Sequence, residues 1–229
     1  MPADIIPPPS AEAVEIFGDV LPQACRYAEM LATDGVTRGL IGPRETSRLW
    51  DRHLVNCALV AEFLPEQGQL VDIGSGAGLP GLVLALVRPS LRVVLLEPLL
   101  RRSAFLEECV AALELGNVSV LRARAEEPAA AKLKADYATA RAVAPLDRLV
   151  GWGAGLLRPG GELLAIKGES AAAELAAAKP ALSRLGVRSA EVLTAGHGRV
   201  VSATTVVRVV MGHGREERAG AQRSRRGVA

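Results

Sequence analysis

One stretch of twelve residues, from Leu70 to Gly81, constrains the fold of this chain more than any other. It reads Leu-Val-Asp-Ile-Gly-Ser-Gly-Ala-Gly-Leu-Pro-Gly, so a short apolar run precedes three glycines at alternate positions and then a proline. Glycines let the backbone adopt positive φ angles and let a ligand approach closely, and a proline suits the first turn of a helix. The pattern therefore predicts a buried strand, a tight loop and a helix start, a junction that often holds a nucleotide-like cofactor.

After this junction the chain alternates between short apolar runs typical of strands and longer segments typical of helices. This βαβα order predicts a parallel sheet with helices on both faces. Two β-rich runs near the C-terminus, joined by a glycine-rich loop, predict an antiparallel hairpin at one edge of that sheet. We predict strands at 70–73, 91–96, 118–121, 137–142, 162–166, 189–193 and 203–211, and helices at 80–87, 99–115, 126–133, 145–157 and 171–185.

The two ends of the chain read differently from this central part. Residues 1–65 show apolar spacings of three and four in two stretches, which predict helices, and Pro22 is expected to divide the first of them. The tail, 212–229, holds five arginines and two glutamates and few apolar residues, so we expect it to be disordered and basic. We therefore predict a helical segment (1–65), an α/β domain (66–211) and a tail (212–229). The first apolar stripe consists of Val14, Phe17, Leu21, Ala24, Ala28 and Leu31.

Composition argues against several classes of protein. No apolar stretch reaches about 18 uncharged residues, and the N-terminus does not resemble a signal peptide, so neither a membrane span nor secretion is expected. The three cysteines are too scattered for a disulfide framework or a zinc site, which indicates a reducing compartment such as the cytoplasm. We find no metal-ligand spacing of His, Cys or Asp and predict no metal.

Two nucleotide cofactors fit the glycine stretch. The segment Gly76–Gly81 matches G-x-G-x-x-G, and Glu97 lies 21 residues after Gly76, as in proteins that bind NAD or NADP. In that motif, however, the first glycine directly follows the strand. Here Gly74 holds that place, and counting from it puts Leu79 where the last glycine belongs.

S-adenosylmethionine is the second candidate. Its sites show an acid at the strand end followed by G-x-G-x-G, and Asp72, Gly74, Gly76 and Gly78 fit that pattern in full. A carboxylate at Asp72 repels a pyrophosphate but tolerates a sulfonium cofactor that carries an amino group. Register and charge together favour S-adenosylmethionine, with a nicotinamide-dependent oxidoreductase as the alternative.

Two further acidic positions lie where the cofactor is expected. Glu97 ends the second strand, where an acid reaches the ribose hydroxyls in related folds; a surface glutamate is the alternative. The third strand leads into residues 122–127, Arg-Ala-Arg-Ala-Glu-Glu, whose backbone and acids we expect to receive the adenine. Acids that only decorate a helix N-terminus would read the same way, and the sequence does not decide between these two readings.

At this point the chain resembles a known family. The stretch from Asp72 to Gly81 is similar to D-[IV]-G-[ST]-G-x-G-[LF]-P-G, the signature of the RsmG family, also called GidB, and the Leu-Pro-Gly ending is its specific part. The resemblance covers about residues 10–211. Further motif matches occur in the family's order, at Arg52-His53, Arg101–Leu106, Arg124–Glu127, Ala140–Ala142 and Ile166–Gly168.

The resemblance implies a Rossmann-like class I methyltransferase that uses S-adenosylmethionine to modify N7 of a guanine in the 530 loop of bacterial 16S rRNA. Its partner would be 16S rRNA or the small ribosomal subunit, and we expect a monomer. A small-molecule or protein methyltransferase on the same fold is an alternative. The family's cofactor contacts, carried over by motif, fall on Gly74, Leu79, Ala125, Glu126 and Arg141.

Two basic residues at strand ends are our candidates for positioning the substrate. Methylation at N7 needs no general base, because that nitrogen carries a lone pair and no proton, so position and electrostatics matter most. Arg141, at the end of the fourth strand, is expected to hold the cofactor, bind a phosphate or stack on the guanine; pairing with an acid such as Glu126 is the alternative. Lys167, at the end of the fifth strand, is expected to contact phosphate or the guanine O6, or else to be an ordinary edge lysine.

Contacts with RNA are expected at three further places. Arg48 and Arg52 form a basic helix face suited to phosphate. His53 is either an RNA contact beside Arg52 or a core histidine, because it also lies on the apolar stripe. Arg199, in the glycine-rich hairpin loop, and the tail arginines are candidates for salt-sensitive contacts with nucleic acid.

Overall fold

The computed structural model describes residues 6–196, 198, 200 and 203–212, and these residues form a seven-stranded sheet with helices on both faces. The order of the strands across the sheet is β3-β2-β1-β4-β5-β7-β6. The strands are β1 (Gly68–Ile73), β2 (Leu91–Leu96), β3 (Val118–Leu121), β4 (Ala135–Arg141), β5 (Leu157–Lys167), β6 (Ser189–Ala195) and β7 (Thr204–Val210).

The pairing of the strands creates a binding edge beside β1. β1 pairs in parallel with β2 on one side and with β4 on the other, and parallel pairing continues outward to β3 and to β5. The chain therefore changes direction across the sheet at β1, and open α/β sheets bind ligands at the carboxyl ends of strands at such a switch point. β7 lies antiparallel between β5 and β6, which confirms the mostly parallel α/β fold and its antiparallel C-terminal hairpin.

Helices cover both faces, close to where the sequence predicts them. A 3₁₀ turn, Gly18–Val20, separates the first two helices, and Pro22 lies in the first turn of the second. The helices are α1 (Ala11–Phe17), α2 (Leu21–Met30), α3 (Asn56–Ala58), α4 (Gly81–Val87), α5 (Leu100–Ala112), α6 (Pro128–Ala131), α7 (Leu146–Leu156) and α8 (Ala171–Arg184).

The second predicted helix of the N-terminal segment is not a continuous α-helix. It consists of a 3₁₀ turn (Pro43–Arg48), a π-helical stretch (Leu49–Val55), the short α3 and a final 3₁₀ turn (Leu59–Phe63). Apolar spacing indicates which residues are buried, but it does not distinguish the hydrogen bonding of an α-helix from that of 3₁₀ and π-helical turns. This segment places one wall of the main cleft described below.

Two apolar clusters pack against the two faces of the sheet. Along β1, Leu70 belongs to the cluster that contains the N-terminal segment, α4 and α5, whereas Val71 belongs to the cluster that contains α7 and α8. This alternation is the two-residue period of a strand buried on both faces. The N-terminal segment therefore shares its apolar core with the sheet.

The buried face of α1 differs in one residue from the face that the apolar spacing predicts. Val14, predicted on the buried stripe, is 48% exposed, whereas Phe17 of the same stripe is buried together with Ala13. Ala13 and Phe17 are four positions apart on α1, so they share the face that packs against the core, and Val14 lies outside it. Among the residues that the structure describes, no helix has the length and apolar content needed to cross a membrane.

Candidate active site

The main cleft lies at the carboxyl ends of β1, β2 and β4 and has a volume of about 800 Å³. One side is the glycine loop that follows β1, and the opposite side belongs to the N-terminal segment. Several of the predicted site residues line it together: Gly74, Gly76, Leu79, Glu97, Arg52, His53 and Arg141. Residues that the sequence did not single out also line it, among them Glu45, Asn56, Arg102 and Arg124.

Two positions of the glycine loop require glycine, because a larger residue there would clash with its neighbours. Gly74 has φ +64°, and a Cβ there would lie 2.9 Å from a methyl carbon of Val143, in the loop after β4. Gly78 has φ +97°, and a Cβ there would lie 2.4 Å from Leu82. Gly74 and Gly76 reach the main cleft, whereas Gly78 is buried against α4. Glycine therefore lets Val143 pack closely beside the cleft at Gly74 and lets Leu82 of α4 pack closely at Gly78.

Glu97 ties the end of β2 to the glycine loop. Its carboxylate is almost wholly buried and accepts one hydrogen bond from the backbone N–H of Gly76 and one from that of Leu99, each at 3.0 Å. Each carboxylate oxygen accepts up to two hydrogen bonds. Glu97 therefore fixes the loop and retains acceptor capacity for the ribose hydroxyls that the sequence assigned to it.

Asp72 lies one layer beneath the main cleft rather than in its wall. Its side chain is fully buried, where Oδ2 accepts from the backbone N–H of Gly81 at 3.2 Å and Oδ1 accepts from the hydroxyl of Thr139 at 2.9 Å. Burial raises the pKa of this carboxyl group to about 6. The acid at the strand end, expected to face the cofactor, instead joins α4 to β4 under the loop.

Tyr27, on α2, holds the same loop from the other side. Its fully buried hydroxyl donates a 2.7 Å hydrogen bond to the carbonyl oxygen of Ala77. The two residues are 50 positions apart, and Tyr27 has no motif around it, so sequence reasoning did not find this contact. The N-terminal segment thus helps to position the loop.

A second, smaller cavity of about 110 Å³ adjoins the main cleft and is called here the side pocket. Gly74, Pro98, Arg124 and Val143 line both cavities. Its other walls are mostly apolar and consist of Ile73, Leu96, Ala123, Ala125, Glu126 and Trp152. The indole N–H of Trp152 donates a 2.5 Å hydrogen bond to the carboxylate of Glu126. The structure therefore brings the two predicted residues after β3 next to the glycine loop.

A chain of three side chains runs along the wall opposite the glycine loop. A terminal nitrogen of Arg141 lies 2.8 Å from Nδ1 of His53, and Nε2 of His53 lies 2.9 Å from Oε2 of Glu45. Because a guanidinium only donates, Nδ1 accepts, and the ring proton sits on Nε2 and is donated to Glu45. Burial, together with the charge of Arg141, lowers the pKa of His53, which keeps the ring neutral.

The four basic residues that the sequence analysis assigned to substrate positioning or RNA contacts, Arg48, Arg52, Arg141 and Lys167, do not all line the main cleft. Arg52 and Arg141 line the main cleft, but Arg48 is exposed outside it. Lys167, whose side chain is 11% exposed, forms a 2.7 Å ion pair with Glu174 and donates to the carbonyl oxygen of Ala144 at 3.0 Å. Its position at the sheet edge is as predicted, but its ammonium group secures the loop after β4. Arg199 and the tail from residue 213 lie outside the described residues.

Two residues to which the sequence analysis gave no role of their own carried a usable signal. Arg124 follows β3, and the ends of parallel strands share an edge of the sheet, so its place in the main cleft follows from topology. Glu45 precedes His53 by eight residues, which puts the two near one face of a helical segment. Among the described residues, no group of three or more His, Cys, Asp or Glu side chains is arranged to bind a metal ion.

Known proteins are similar to this chain in sequence and in fold. The family profile described as GidB, rRNA small subunit methyltransferase G, matches residues 20–201. A protein named Ribosomal RNA small subunit methyltransferase G from Thermobifida fusca is 60% identical over 203 residues, which are 89% of this chain and 85% of that protein. Its counterpart from Streptomyces coelicolor is 55% identical over 207 residues, 90% of this chain and 87% of its own length.

A solved structure shows the same fold at low identity. A SAM-dependent methyltransferase from Aquifex aeolicus aligns with a TM-score of 0.54 and 15% identity over 78% of this chain and 97% of that one. These findings contradict the alternative of a nicotinamide-dependent oxidoreductase, which depended on the spacing from Gly76 to Gly81. With the family profile covering most of its length, the chain belongs to the GidB family of rRNA small subunit methyltransferases G.

Proposed function

We propose that this protein uses S-adenosylmethionine to methylate N7 of a guanine in the 530 loop of 16S rRNA. The observation that carries the proposal is that one continuous cleft joins the glycine loop to a wall containing Arg52 and Arg141. Its relatives, named as rRNA small subunit methyltransferases, support the substrate class. The base and the atom that is methylated are inferred from the motif resemblance.

The two adjoining cavities fit the parts of S-adenosylmethionine. The side pocket, with its apolar walls and the ring of Trp152, suits the adenine, and the carboxylate of Glu126 provides an acceptor beside it. Glu97 has acceptor capacity for the ribose, and the open backbone at Gly74 and Gly76 admits the rest of the cofactor. Apart from Trp152, which lies on α7, these residues follow the ends of three adjacent strands, β1, β2 and β3, as expected at a switch point.

The chemistry requires orientation rather than proton transfer. When bound, S-adenosylmethionine supplies an electrophilic methyl group on a sulfonium sulfur. The in-plane lone pair of guanine N7 forms the new C–N bond as the C–S bond breaks, and the positive charge passes to the purine ring. Arg141 is held by His53 and by the carbonyl oxygen of Arg52, at 3.4 Å, so it is oriented before the RNA arrives.

The thiols of the chain do not suit the alternative chemistry of methylation at a pyrimidine carbon, which needs a nucleophilic cysteine. Burial raises the pKa of Cys57 to about 11 and that of Cys109 to about 12. Both groups are therefore protonated near neutral pH, and only a thiolate is an effective nucleophile. A direct displacement at a ring nitrogen needs neither of them.

The arginines of the main cleft are the proposed RNA contacts. Arg52 and Arg102 have exposed side chains on its rim, where guanidinium groups bind phosphate. Arg124 is exposed beside the side pocket. We propose that the protein acts as a monomer in the cytoplasm, on the rRNA or the assembled small subunit.

Methyl transfer by the purified protein tests the proposal. Small subunits from cells that lack the protein are incubated with S-adenosylmethionine carrying a labelled methyl group, and the digested rRNA is separated by chromatography. We expect the label in 7-methylguanosine at one position of the 530 loop. Label in another nucleoside, or none in rRNA, would refute the proposal.

Arginine variants test the proposed role of the cleft. Arg141→Ala is expected to lower the rate of transfer by at least about tenfold, since a charge-assisted hydrogen bond contributes roughly 1.5–3 kcal/mol. Arg184→Ala, at an exposed site in the last turn of α8, serves as the matched control and should leave the rate unchanged. Equal rates for both variants would remove Arg141 from the machinery.

A further inference from the structure

Glu45 presents an unused acceptor to the main cleft. Its Oε2 accepts the proton of His53 Nε2 and lies 3.7 Å from Nε of Arg52. Its other oxygen, Oε1, accepts no hydrogen bond from the part of the chain that the structure describes. The side chain is 32% exposed and lines the main cleft with Arg141 and the glycine loop.

The contacts of Glu45 keep it charged and in place. The hydrogen bond from His53, more than any other contact, lowers the pKa of the carboxyl group. It is therefore a carboxylate near neutral pH, and its one hydrogen bond to a side chain of the described residues, from His53 to Oε2, leaves Oε1 available. A partly exposed carboxylate that is fixed by one oxygen is suited to accept a hydrogen bond from a ligand at the other.

The wall that contains Glu45 matches the edge of guanine and mismatches that of adenine. His53 separates a donor, Arg141, from an acceptor, Glu45. The Watson–Crick edge of guanine carries the acceptor O6 at one end and the donating 2-amino group at the other, with N1–H between them. Adenine has a donor in place of O6 and no 2-amino group. Proteins commonly read unpaired RNA bases along this edge.

We propose that Glu45 selects guanine: its Oε1 accepts a hydrogen bond from the 2-amino group while Arg141 donates to O6. The 2-amino group is the partner because a whole imidazole ring separates donor from acceptor, and O6 and the 2-amino group are the outer groups of the edge. N7 lies next to O6 on the adjacent Hoogsteen edge, so Arg141 donates to O6 alone and N7 stays open to the methyl group. This inference rests on the proposed function and adds to it the residue that determines base specificity.

A test removes the 2-amino group from the substrate and the carboxylate from the protein, separately and together. Small subunits are reconstituted with 16S rRNA that carries either guanosine or inosine at the target, and kcat/KM is measured for the wild type, Glu45→Ala and Glu45→Gln. Inosine should react about 10- to 100-fold more slowly with the wild type, because a hydrogen bond to a charged group is lost. With Glu45→Ala the two substrates should react within about twofold of each other.

The controls separate base recognition from structural support. Glu66→Gln, at an exposed carboxylate paired only loosely with Arg88, should keep the full inosine penalty. Glu45→Gln, which retains an acceptor for His53, should show a reduced penalty while its unfolding midpoint and its affinity for S-adenosylhomocysteine match the wild type. An inosine penalty of the same size in the wild type and in both Glu45 variants, or no penalty in the wild type, would overturn the assignment. A wild type that methylates no guanine in the rRNA would instead refute the proposed function.

Discussion

Gly81, the first residue of α4, packs tightly against the sheet beneath it. A Cβ on Gly81 would lie 2.4 Å from Cδ2 of Leu95 and 2.8 Å from Oδ2 of Asp72, whereas ordinary contacts begin near 3.4 Å. Both neighbours are fully buried and have little room to move. The backbone N–H of Gly81 also donates to Asp72. A Gly81→Ala variant must therefore shift the start of α4 outward.

The size of the effect follows from these contacts. Overpacking a buried site typically costs about 1–3 kcal/mol, and weakening a hydrogen bond to a carboxylate adds about 1.5–3 kcal/mol. The higher helix propensity of alanine returns at most about 1 kcal/mol. We expect Gly81→Ala to lower the free energy of unfolding by about 3 kcal/mol.

Gly151→Ala is the matched control. Gly151 lies in α7, is exposed, and a Cβ there would meet no atom within 4 Å. This substitution should raise the free energy of unfolding by about 0.5–1 kcal/mol. Urea denaturation of both variants, with slopes equal to that of the wild type, gives the comparison. If Gly81→Ala unfolds at the wild-type midpoint, our explanation of this glycine is wrong.

Two further predictions concern the groups beneath the loop. Tyr27→Phe leaves the carbonyl oxygen of Ala77 without its buried donor, so stability should fall by about 1–2 kcal/mol and binding of S-adenosylhomocysteine, measured by calorimetry, should weaken; unchanged binding would contradict the role of Tyr27. Asp72 has a pKa raised to about 6 from 3.8, so the folded state binds more protons than the unfolded state between these values, and this group's contribution to stability is lost as pH rises through that window. The free energy of unfolding of Asp72→Asn, relative to that of the wild type, should therefore increase by about 3 kcal/mol between about pH 3.5 and pH 7. If the unfolding free energies of the two proteins change with pH in parallel, the raised pKa is contradicted.

The strands of the sheet could be predicted largely because burial leaves a local trace in the sequence. The apolar runs of β1 and β2 are hydrophobic on both faces, as strands between two layers of helices must be. Positive φ angles and close neighbours such as Val143 require the glycines that follow β1, so the loop could also be predicted from the sequence. The hydrogen bonding of the N-terminal segment left no such trace, because several helical types bury the same face.

The features of the candidate site that the sequence did not predict depend on contacts between residues far apart in the chain. Nothing near Lys167 in the sequence indicates that its ammonium group is bound by Glu174 and by a carbonyl in the loop after β4. The position of Asp72 was predicted correctly, but its side chain points beneath the loop, toward Thr139. The sequence thus predicted the edge of the sheet at which the main cleft lies, but tertiary packing decides which side chains line that cleft.

The most direct test of the central claim is a map of 7-methylguanosine in 16S rRNA from cells with and without this protein. N7-methylated guanines are detected by chemical cleavage of the rRNA chain. Our account predicts that one 7-methylguanosine, in the 530 loop, disappears with the protein and returns when the wild-type chain is supplied. An identical map in both kinds of cell would contradict it.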